Sequence, residues 1–225
     1  MAHRLHHVEV YTPGGLLTFL WHGDRTATRY VVMGGGAMGG MLGPADGSFH
    51  DVAVALDADH GIATVRVGYR VPNDLGECVL DMAAAVDLAS RAGGERFVTV
   101  GHSFGGAVAV GCAISLPSHV VGVVTLATQS AGCENAGVLT GTPMLLLHGE
   151  QDELLPPFAS EVVNGLAGGH GEVVILEGAG HLLTQGDTPK VVRRKLLDWL
   201  PAVLGAAGEG EGESRESGGA TRTNR

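Results

Sequence analysis

The feature that most constrains this chain is a regular alternation between short runs of Val, Ile and Leu and longer stretches with helical spacing. The runs lack the apolar–polar alternation of a strand with one face in water, so they predict strands buried on both faces. Strands separated by helices predict a mostly parallel, doubly wound α/β sheet, in which right-handed crossovers place helices on both faces. The runs occur at 30–33, 62–67, 97–100, 121–126, 144–147 and 173–176.

Two further strands are predicted near the N-terminus, at 7–11 and 16–21, because the Thr-Pro-Gly-Gly turn between them favours a β-hairpin. They bring the predicted sheet to about eight strands. The stretch at 75–92 has apolar residues at intervals of three and four and ends at two glycines, which is typical of a helix. The predicted helices cover 49–59, 75–92, 107–115, 159–166 and 189–200.

The amino-acid composition changes sharply at one point in the chain. From Gly205 onward there is no large apolar residue. A segment of that kind cannot bury enough surface to offset its conformational entropy, so residues 205–225 are predicted to form a disordered tail. Residues 1–204 contain no second break and no internal repeat, and we expect them to form one domain.

Charge and cysteine content exclude several classes of protein. The chain has 24 acidic and 14 basic residues, a net charge of −10, and its one basic cluster lies at 193–195. Nucleic-acid and anionic-membrane partners are therefore disfavoured. The three cysteines lack C-x-x-C spacing, which argues against a zinc site or a disulfide framework. With no signal-peptide pattern and no run long enough to cross a bilayer, we expect a soluble cytoplasmic protein.

The strongest chemical motif is Gly101-x-Ser103-x-Gly105, which lies between a predicted strand and a predicted helix. A serine on such a tight turn is presented above the sheet edge, at a helix N-terminus whose free N–H groups stabilise negative charge. The alternative is a glycine-rich turn with an incidental serine. In this strand–turn–helix context the motif predicts a nucleophile.

A serine nucleophile needs a base, and the base needs an acid. Among eleven histidines, His181 stands out because it follows the last predicted strand in a short glycine-containing loop. Asp152 follows the strand at 144–147, with Glu150 and Glu153 as competing acids. Ser103, Asp152 and His181 occur in the chain order expected on a parallel sheet.

Other histidines are interpreted differently. His102 is predicted to point away from the serine, and His148 to pack or bond locally after its strand. No histidine spacing indicates a metal site, and none is predicted.

The glycine-rich segment 33–40 follows the third predicted strand and is interpreted as one side of an oxyanion hole, because glycine permits close backbone approach. The second N–H donor is predicted at Phe104, the residue after the serine. The competing interpretation is a phosphate-binding loop, but the segment lacks the G-K-[ST] ending of that motif.

Taken together, these motifs resemble the α/β-hydrolase superfamily, and within it compact lidless members related to dienelactone hydrolases. The resemblance implies Ser103 as nucleophile, Asp152 as acid and His181 as base. It also implies Gly35 with Phe104 as the oxyanion hole, with Gly36 as an alternative to Gly35. The matching stretches are 30–36, 62–70, 97–106, 144–152 and 177–181.

The chain departs from that pattern at two positions. Met33 stands where relatives usually have the histidine of an His-Gly dipeptide. Dienelactone hydrolases proper carry a cysteine nucleophile where this chain has Ser103, so their specific substrate is not implied.

The segment 127–143, which separates two predicted strands, is too short and small-sided for the helical lid that many relatives insert there. We therefore expect a shallow, open pocket. The predicted function is a cofactor-independent serine hydrolase acting on a small carboxylic ester through an acyl-enzyme. The alternatives are a thioesterase or peptidase with the same residues, or a non-catalytic binding protein on the same fold. The residues expected to form the pocket are Met38, Met41, Leu42, Phe104, Gln129 and Leu155.

Overall fold

The structure is a computed structural model that describes residues 5–205. Its eight strands form one sheet in the order β1-β2-β4-β3-β5-β6-β7-β8. Only the β1–β2 and β2–β4 pairs are antiparallel, and every pair from β4 to β8 is parallel, which confirms the predicted mostly parallel sheet. The strands are β1 (Leu5–Thr12), β2 (Gly15–His22), β3 (Arg29–Gly34), β4 (Ala63–Gly68), β5 (Arg96–His102), β6 (Val120–Leu126), β7 (Met144–Gly149) and β8 (Glu172–Leu176).

Helices cover both faces of the sheet, as the continuous apolar runs predict. Val31 and Val32 are successive residues of β3 and point to opposite faces, yet both are fully buried, each in a different hydrophobic cluster. Helices α1 and α5 pack on one face, and α2, α3 and α4 on the other. The helices are α1 (Pro44–His60), α2 (Leu75–Arg91), α3 (Phe104–Ser115), α4 (Phe158–Leu166) and α5 (Thr188–Gly205).

Helix α1 begins earlier than the predicted start at residue 49. Its first turn is irregular, because Ala45, Asp46 and Gly47 have φ values of 53°, 57° and 80°. The Ala45 N–H donates to the Leu182 carbonyl at 2.8 Å. The irregular turn therefore connects the segment after β3 to the segment after β8, on opposite sides of the serine.

Helix α5 continues past residue 200, the predicted end of this helix, and includes Pro201. The side chain of Arg96 donates to the carbonyls of Val203 and Leu204, both at 3.1 Å, and so satisfies acceptors in the last turn. Gly205, predicted to begin the tail, is the last residue of α5, and the rest of the predicted tail lies outside the described residues.

The segment 127–143 contains one 3₁₀ turn, Ala136–Leu139, which the sequence pattern did not predict. Ala136 and Leu139 are buried against the core, so the segment packs on the sheet's helical layer. No separate lid covers the site in the part of the chain that the structure describes, as expected. Within the same residues, no helix is long and apolar enough to cross a membrane.

Candidate active site

Ser103 sits on a sharp turn between β5 and α3. Its backbone has φ 57° and ψ −123°, a conformation rarely adopted by residues other than glycine. The turn is held by the Ser103 N–H, which donates to the Leu126 carbonyl of β6 at 2.8 Å. A Cβ at Gly101 would clash with the carbonyl of Gly105, and a Cβ at Gly105 would clash with the carbonyl of Gly35. The glycines of the motif are therefore required by close backbone approach, as predicted.

The structure brings the three predicted catalytic residues into one hydrogen-bonded line. His181 Nε2 lies 3.0 Å from Ser103 Oγ, and His181 Nδ1 lies 2.8 Å from Asp152 Oδ2. A carboxylate can only accept, so His181 Nδ1–H donates to Asp152 and Nε2 accepts from the serine hydroxyl. This is the tautomer in which Nε2 can remove the serine proton.

The Asp152 carboxylate is inaccessible to solvent and remains ionised. Burial raises the pKa of its carboxyl, but hydrogen bonds from the Leu155 N–H, the His181 ring and the Leu154 N–H outweigh burial and hold the pKa below its usual value. The two backbone bonds to Oδ1 measure 2.8 Å from Leu155 and 2.9 Å from Leu154. The charge faces the ring that would become cationic in catalysis.

The two competing acids do not reach the imidazole. Glu150 Oε2 accepts the Gly178 N–H at 3.0 Å, and Glu153 Oε2 accepts the His181 backbone N–H at 3.1 Å. Both glutamates therefore hold the backbone of the loop that carries His181. The choice of Asp152 over them agrees with this geometry.

His102 differs from its prediction. It lines the same cavity as Ser103, and its Nε2–H donates to the His181 carbonyl at 3.1 Å. Burial lowers the pKa of His102 to about 4, so the ring is neutral. Sequence reasoning set this residue aside because its position next to Ser103 was expected to point it away from the serine. Only the tertiary approach of the loop after β8 reveals its partner.

His148, predicted to pack or bond locally, is fully buried at the end of β7. Its Nε2 lies 3.2 Å from Asp152 Oδ2. The i,i+4 spacing of His148 and Asp152 was the only sequence signal for this contact.

The predicted oxyanion donors flank the serine. Among the described residues, neither the Gly35 N–H nor the Phe104 N–H has a hydrogen-bond acceptor. Gly36, the alternative to Gly35, accepts the Gly39 N–H at its carbonyl at 2.9 Å, and its own N–H is also without an acceptor among the described residues, so both glycines stay candidates. The close packing of Gly105 against the Gly35 carbonyl sets this glycine-rich segment beside the start of α3.

A cavity of about 560 Å³ opens above the serine. Met38, Met41 and Leu42 line it as predicted, but Phe104, Gln129 and Leu155 do not. The Phe104 side chain is buried in the core, and the Gln129 amide donates to the nearby Ala131 carbonyl at 2.8 Å. The Leu155 backbone is engaged with Asp152 and His148, and its neighbour Leu154 lines the cavity instead. The full lining is Gly35, Gly36, Ala37, Met38, Gly39, Gly40, Met41, Leu42, Gly43, Pro44, His102, Ser103, Leu154, His181 and Leu182.

The cavity wall is apolar and carries no Lys, Arg, Asp or Glu among its lining residues. Beneath it, the buried guanidinium of Arg66 donates to the Met41 carbonyl at 2.8 Å and lies 2.7 Å from His22 Nε2. Arg66 therefore supports the Met41 segment from inside the protein. In the described part of the chain, no group of three or more His, Cys, Asp or Glu is arranged to hold a metal ion.

No protein-family model matches the chain, and no curated protein matches it in sequence. Solved structures do match. Dienelactone hydrolase from Anabaena variabilis aligns with a TM-score of 0.71 at 19% identity, covering 91% of this chain and 100% of that one. Est1E from Butyrivibrio proteoclasticus, solved with bound ferulic acid, gives 0.71 at 14% identity, covering 88% and 99%. An alpha-beta serine hydrolase homologue from Coxiella burnetii gives 0.68 at 20% identity, covering 86% and 96%.

These likenesses define a class of fold. The chain has the α/β-hydrolase fold, in the compact form of the dienelactone hydrolase structure, as the sequence motifs predict. At identities this low the comparison establishes the fold alone, and activity must be argued from the site.

Proposed function

We propose that this protein is a serine hydrolase that cleaves small, neutral carboxylic esters through an acyl-enzyme intermediate. The observation that carries the proposal is the unbroken hydrogen-bonded line from Ser103 through His181 to the buried, ionised Asp152. The line opens into an apolar cavity, beside two backbone N–H groups that have no acceptor within residues 5–205. A binding protein has no need of this arrangement.

In the proposed mechanism, Ser103 Oγ attacks the ester carbonyl carbon while His181 Nε2 takes the hydroxyl proton. Asp152 keeps the imidazole in the correct tautomer and stabilises the imidazolium. The N–H groups of Gly35 and Phe104 stabilise the oxyanion of the tetrahedral intermediate. His181 then protonates the departing alcohol, and a water molecule activated by His181 hydrolyses the acyl group from Ser103.

The cavity wall supports a neutral, apolar substrate. Four of its side chains are largely exposed around the opening: Met38 (95%), Leu154 (68%), Leu42 (64%) and Leu182 (55%). These side chains offer apolar contact and no partner for a carboxylate or phosphate, which disfavours an acyl-CoA. Because the wall is open, the distal part of a long acyl chain stays in water. Each methylene there lacks the stabilisation of about 0.8 kcal/mol that full burial would give. We therefore expect activity to fall beyond roughly six to eight acyl carbons.

The three cysteines do not offer an alternative nucleophile. Cys78, Cys112 and Cys133 are free and buried. Burial raises the pKa of Cys112 and of Cys133 to about 12, so little reactive thiolate forms at neutral pH. Buried free thiols are compatible with the cytoplasmic location that we propose.

The test is a panel of p-nitrophenyl esters of rising acyl length, with methyl ferulate, an acyl-CoA and a peptide amide alongside. We expect short acyl esters to be hydrolysed fastest, and Ser103→Ala to lose at least about 10⁴-fold in kcat/KM. Circular dichroism of Ser103→Ala serves as the folding control. Preference for the acyl-CoA or the amide would move the proposal to a thioesterase or a peptidase. Undiminished turnover in Ser103→Ala would refute it.

A further inference from the structure

Four N–H groups face the Asp152 carboxylate, and one of them, on the His148 ring, has no role in the mechanism above. Oδ1 accepts the backbone N–H groups of Leu154 and Leu155. Oδ2 faces His181 Nδ1 at 2.8 Å and His148 Nε2 at 3.2 Å. An ionised carboxylate has about four lone-pair positions, so it can accept from all four groups.

The surroundings of His148 fix which of its nitrogens carries the proton. Nε2 faces two acceptors, Asp152 Oδ2 and the Leu155 carbonyl, each at 3.2 Å, so Nε2 must be protonated. Nδ1 lies 2.7 Å from Ser160 Oγ of α4. Burial lowers the pKa of His148, so the ring is neutral and Nδ1 accepts the Ser160 hydroxyl proton.

The other groups around Asp152 leave a role for the His148 N–H in orienting its carboxylate. In the part of the chain that the structure describes, no Lys or Arg forms an ion pair with Asp152. The carboxylate is therefore oriented by neutral donors alone. Both backbone donors act on Oδ1, and the two rings are the groups that face Oδ2.

We propose that His148 is a positioning residue, whose Nε2–H holds Asp152 Oδ2 in the orientation that directs it at His181 Nδ1. Ser160 in turn holds the His148 ring in the donating tautomer. The line of side chains then extends from Ser103 through His181 and Asp152 to His148 and Ser160, joining the ends of β5, β7 and β8 to α4. The catalytic consequence of this line rests on the proposed function.

The test compares two variants, His148→Gln and His148→Asn, whose side-chain amides differ in length. The amide nitrogen of Gln in His148→Gln can approach the position of imidazole Nε2, whereas that of Asn in His148→Asn falls about one bond short. We expect His148→Asn to lose about 10- to 100-fold in kcat with little change in KM, because the catalytic geometry is misplaced while the cavity wall is intact. We expect His148→Gln to stay within about 5-fold of wild type. His170→Asn, at an exposed histidine bonded to the Thr142 carbonyl, is the matched control and should be unchanged.

A second readout separates this proposal from the proposed function. The proton between His181 Nδ1 and Asp152 should give a downfield proton NMR resonance that is kept in His148→Gln and shifted or broadened in His148→Asn. Equal kcat and identical resonances in the two variants would overturn the positioning role. If wild type hydrolyses no ester, the serine hydrolase proposal fails while the resonance still tests the role of His148.

Folding is checked by thermal midpoint. Should His148→Asn fail to fold, Ser160→Ala replaces it, since the loss of the hydroxyl frees the His148 ring. That variant should show a roughly 3- to 10-fold lower kcat and a broadened resonance. Ser160→Ala with wild-type kcat and resonance would overturn the proposal.

Discussion

Substitutions at Asp152 and at its neighbour Glu153 distinguish which carboxylate acts on the His181 ring. In Asp152→Asn the amide can present a donor to His181 Nδ1, which favours the tautomer with Nε2 protonated and unable to accept from the serine. We expect kcat to fall about 10⁴-fold. Glu153→Gln is the matched control, because its amide oxygen can still accept the His181 backbone N–H, and it should cost less than about 10-fold. A larger loss in Glu153→Gln than in Asp152→Asn would show that the acid is assigned wrongly.

The lowered pKa of the buried His102 ring predicts how the free energy of unfolding depends on pH. Its folded-state pKa of about 4 lies below the value of 6.5 for an unperturbed histidine, so the unfolded chain binds the proton more tightly. Stability from His102 is therefore present above pH 6.5 and is lost as the pH falls from 6.5 toward 4. Between pH 7 and pH 5 this one group should lower the free energy of unfolding by about 2 kcal/mol.

Urea unfolding of wild type and His102→Gln at the two pH values measures that contribution. Since Gln does not titrate, the variant should lose about 2 kcal/mol less than wild type over the same interval. Equal losses in the two proteins would mean that His102 is not held neutral by burial. His170→Gln, at an exposed histidine, should behave like wild type.

Sequence alone could select the three residues that the structure brings together in the candidate site, but not the groups that support them. Ser103, Asp152 and His181 follow strand ends in a recognisable order, so local motifs were sufficient to select them. The contact of His102 with the His181 carbonyl joins segments far apart in the chain, and no local pattern encodes it. The same holds for Leu182, which lines the cavity because the loop after β8 returns toward α1.

The turn between β5 and α3 tolerates no side chain at its glycines. Gly101→Ala would place a Cβ against the Gly105 carbonyl, so the turn must open and move Ser103. We expect loss of ester turnover together with a lower thermal midpoint. Gly165→Ala is the matched control in α4, because its Cβ would meet nothing within 4 Å. It should raise stability by about 0.5–1 kcal/mol at unchanged activity. Full activity in Gly101→Ala would contradict this account of the turn.

The five central predicted strands correspond to β3 to β7 because each is a continuous apolar run buried between two helical layers. The run at 173–176 also forms a strand, but β8 lies at the edge of the sheet and is only partly buried, contrary to the prediction of burial on both faces. Predictions were less accurate where tertiary contacts override local signals. The last predicted helix ends at residue 200, whereas α5 continues to Gly205, and the Arg96 side chain satisfies the carbonyls of Val203 and Leu204. The irregular start of α1 depends on the hydrogen bond from Ala45 to Leu182, which the local sequence does not specify.

The role of the C-terminal segment can be tested on the whole chain. Residues 206–225 contain no large apolar residue, so their deletion should leave ester turnover and the thermal midpoint unchanged. Deleting 203–225 instead removes both carbonyls that accept from Arg96 and should lower the midpoint. A lower midpoint after the shorter deletion would mean that the segment packs on the domain.

The fold and the proposed function rest on different observations. Solved structures at 14–20% identity share the fold, and the parallel strands of this chain's sheet place their carboxyl ends at one edge. Acyl transfer at this edge of the sheet depends on a few groups. They are the side chains of Ser103, His181 and Asp152 and the backbone N–H groups beside them. The central claim is therefore that Ser103 becomes acylated.

The most direct test is the mass of the protein after brief reaction with p-nitrophenyl butyrate and acid quench, followed by peptide mapping. We predict one butyryl group per chain, on Ser103. Ser103→Ala and His181→Gln should carry none, since the first lacks the nucleophile and the second its base. A butyryl group on another residue, or continued p-nitrophenol release by Ser103→Ala, would contradict the account.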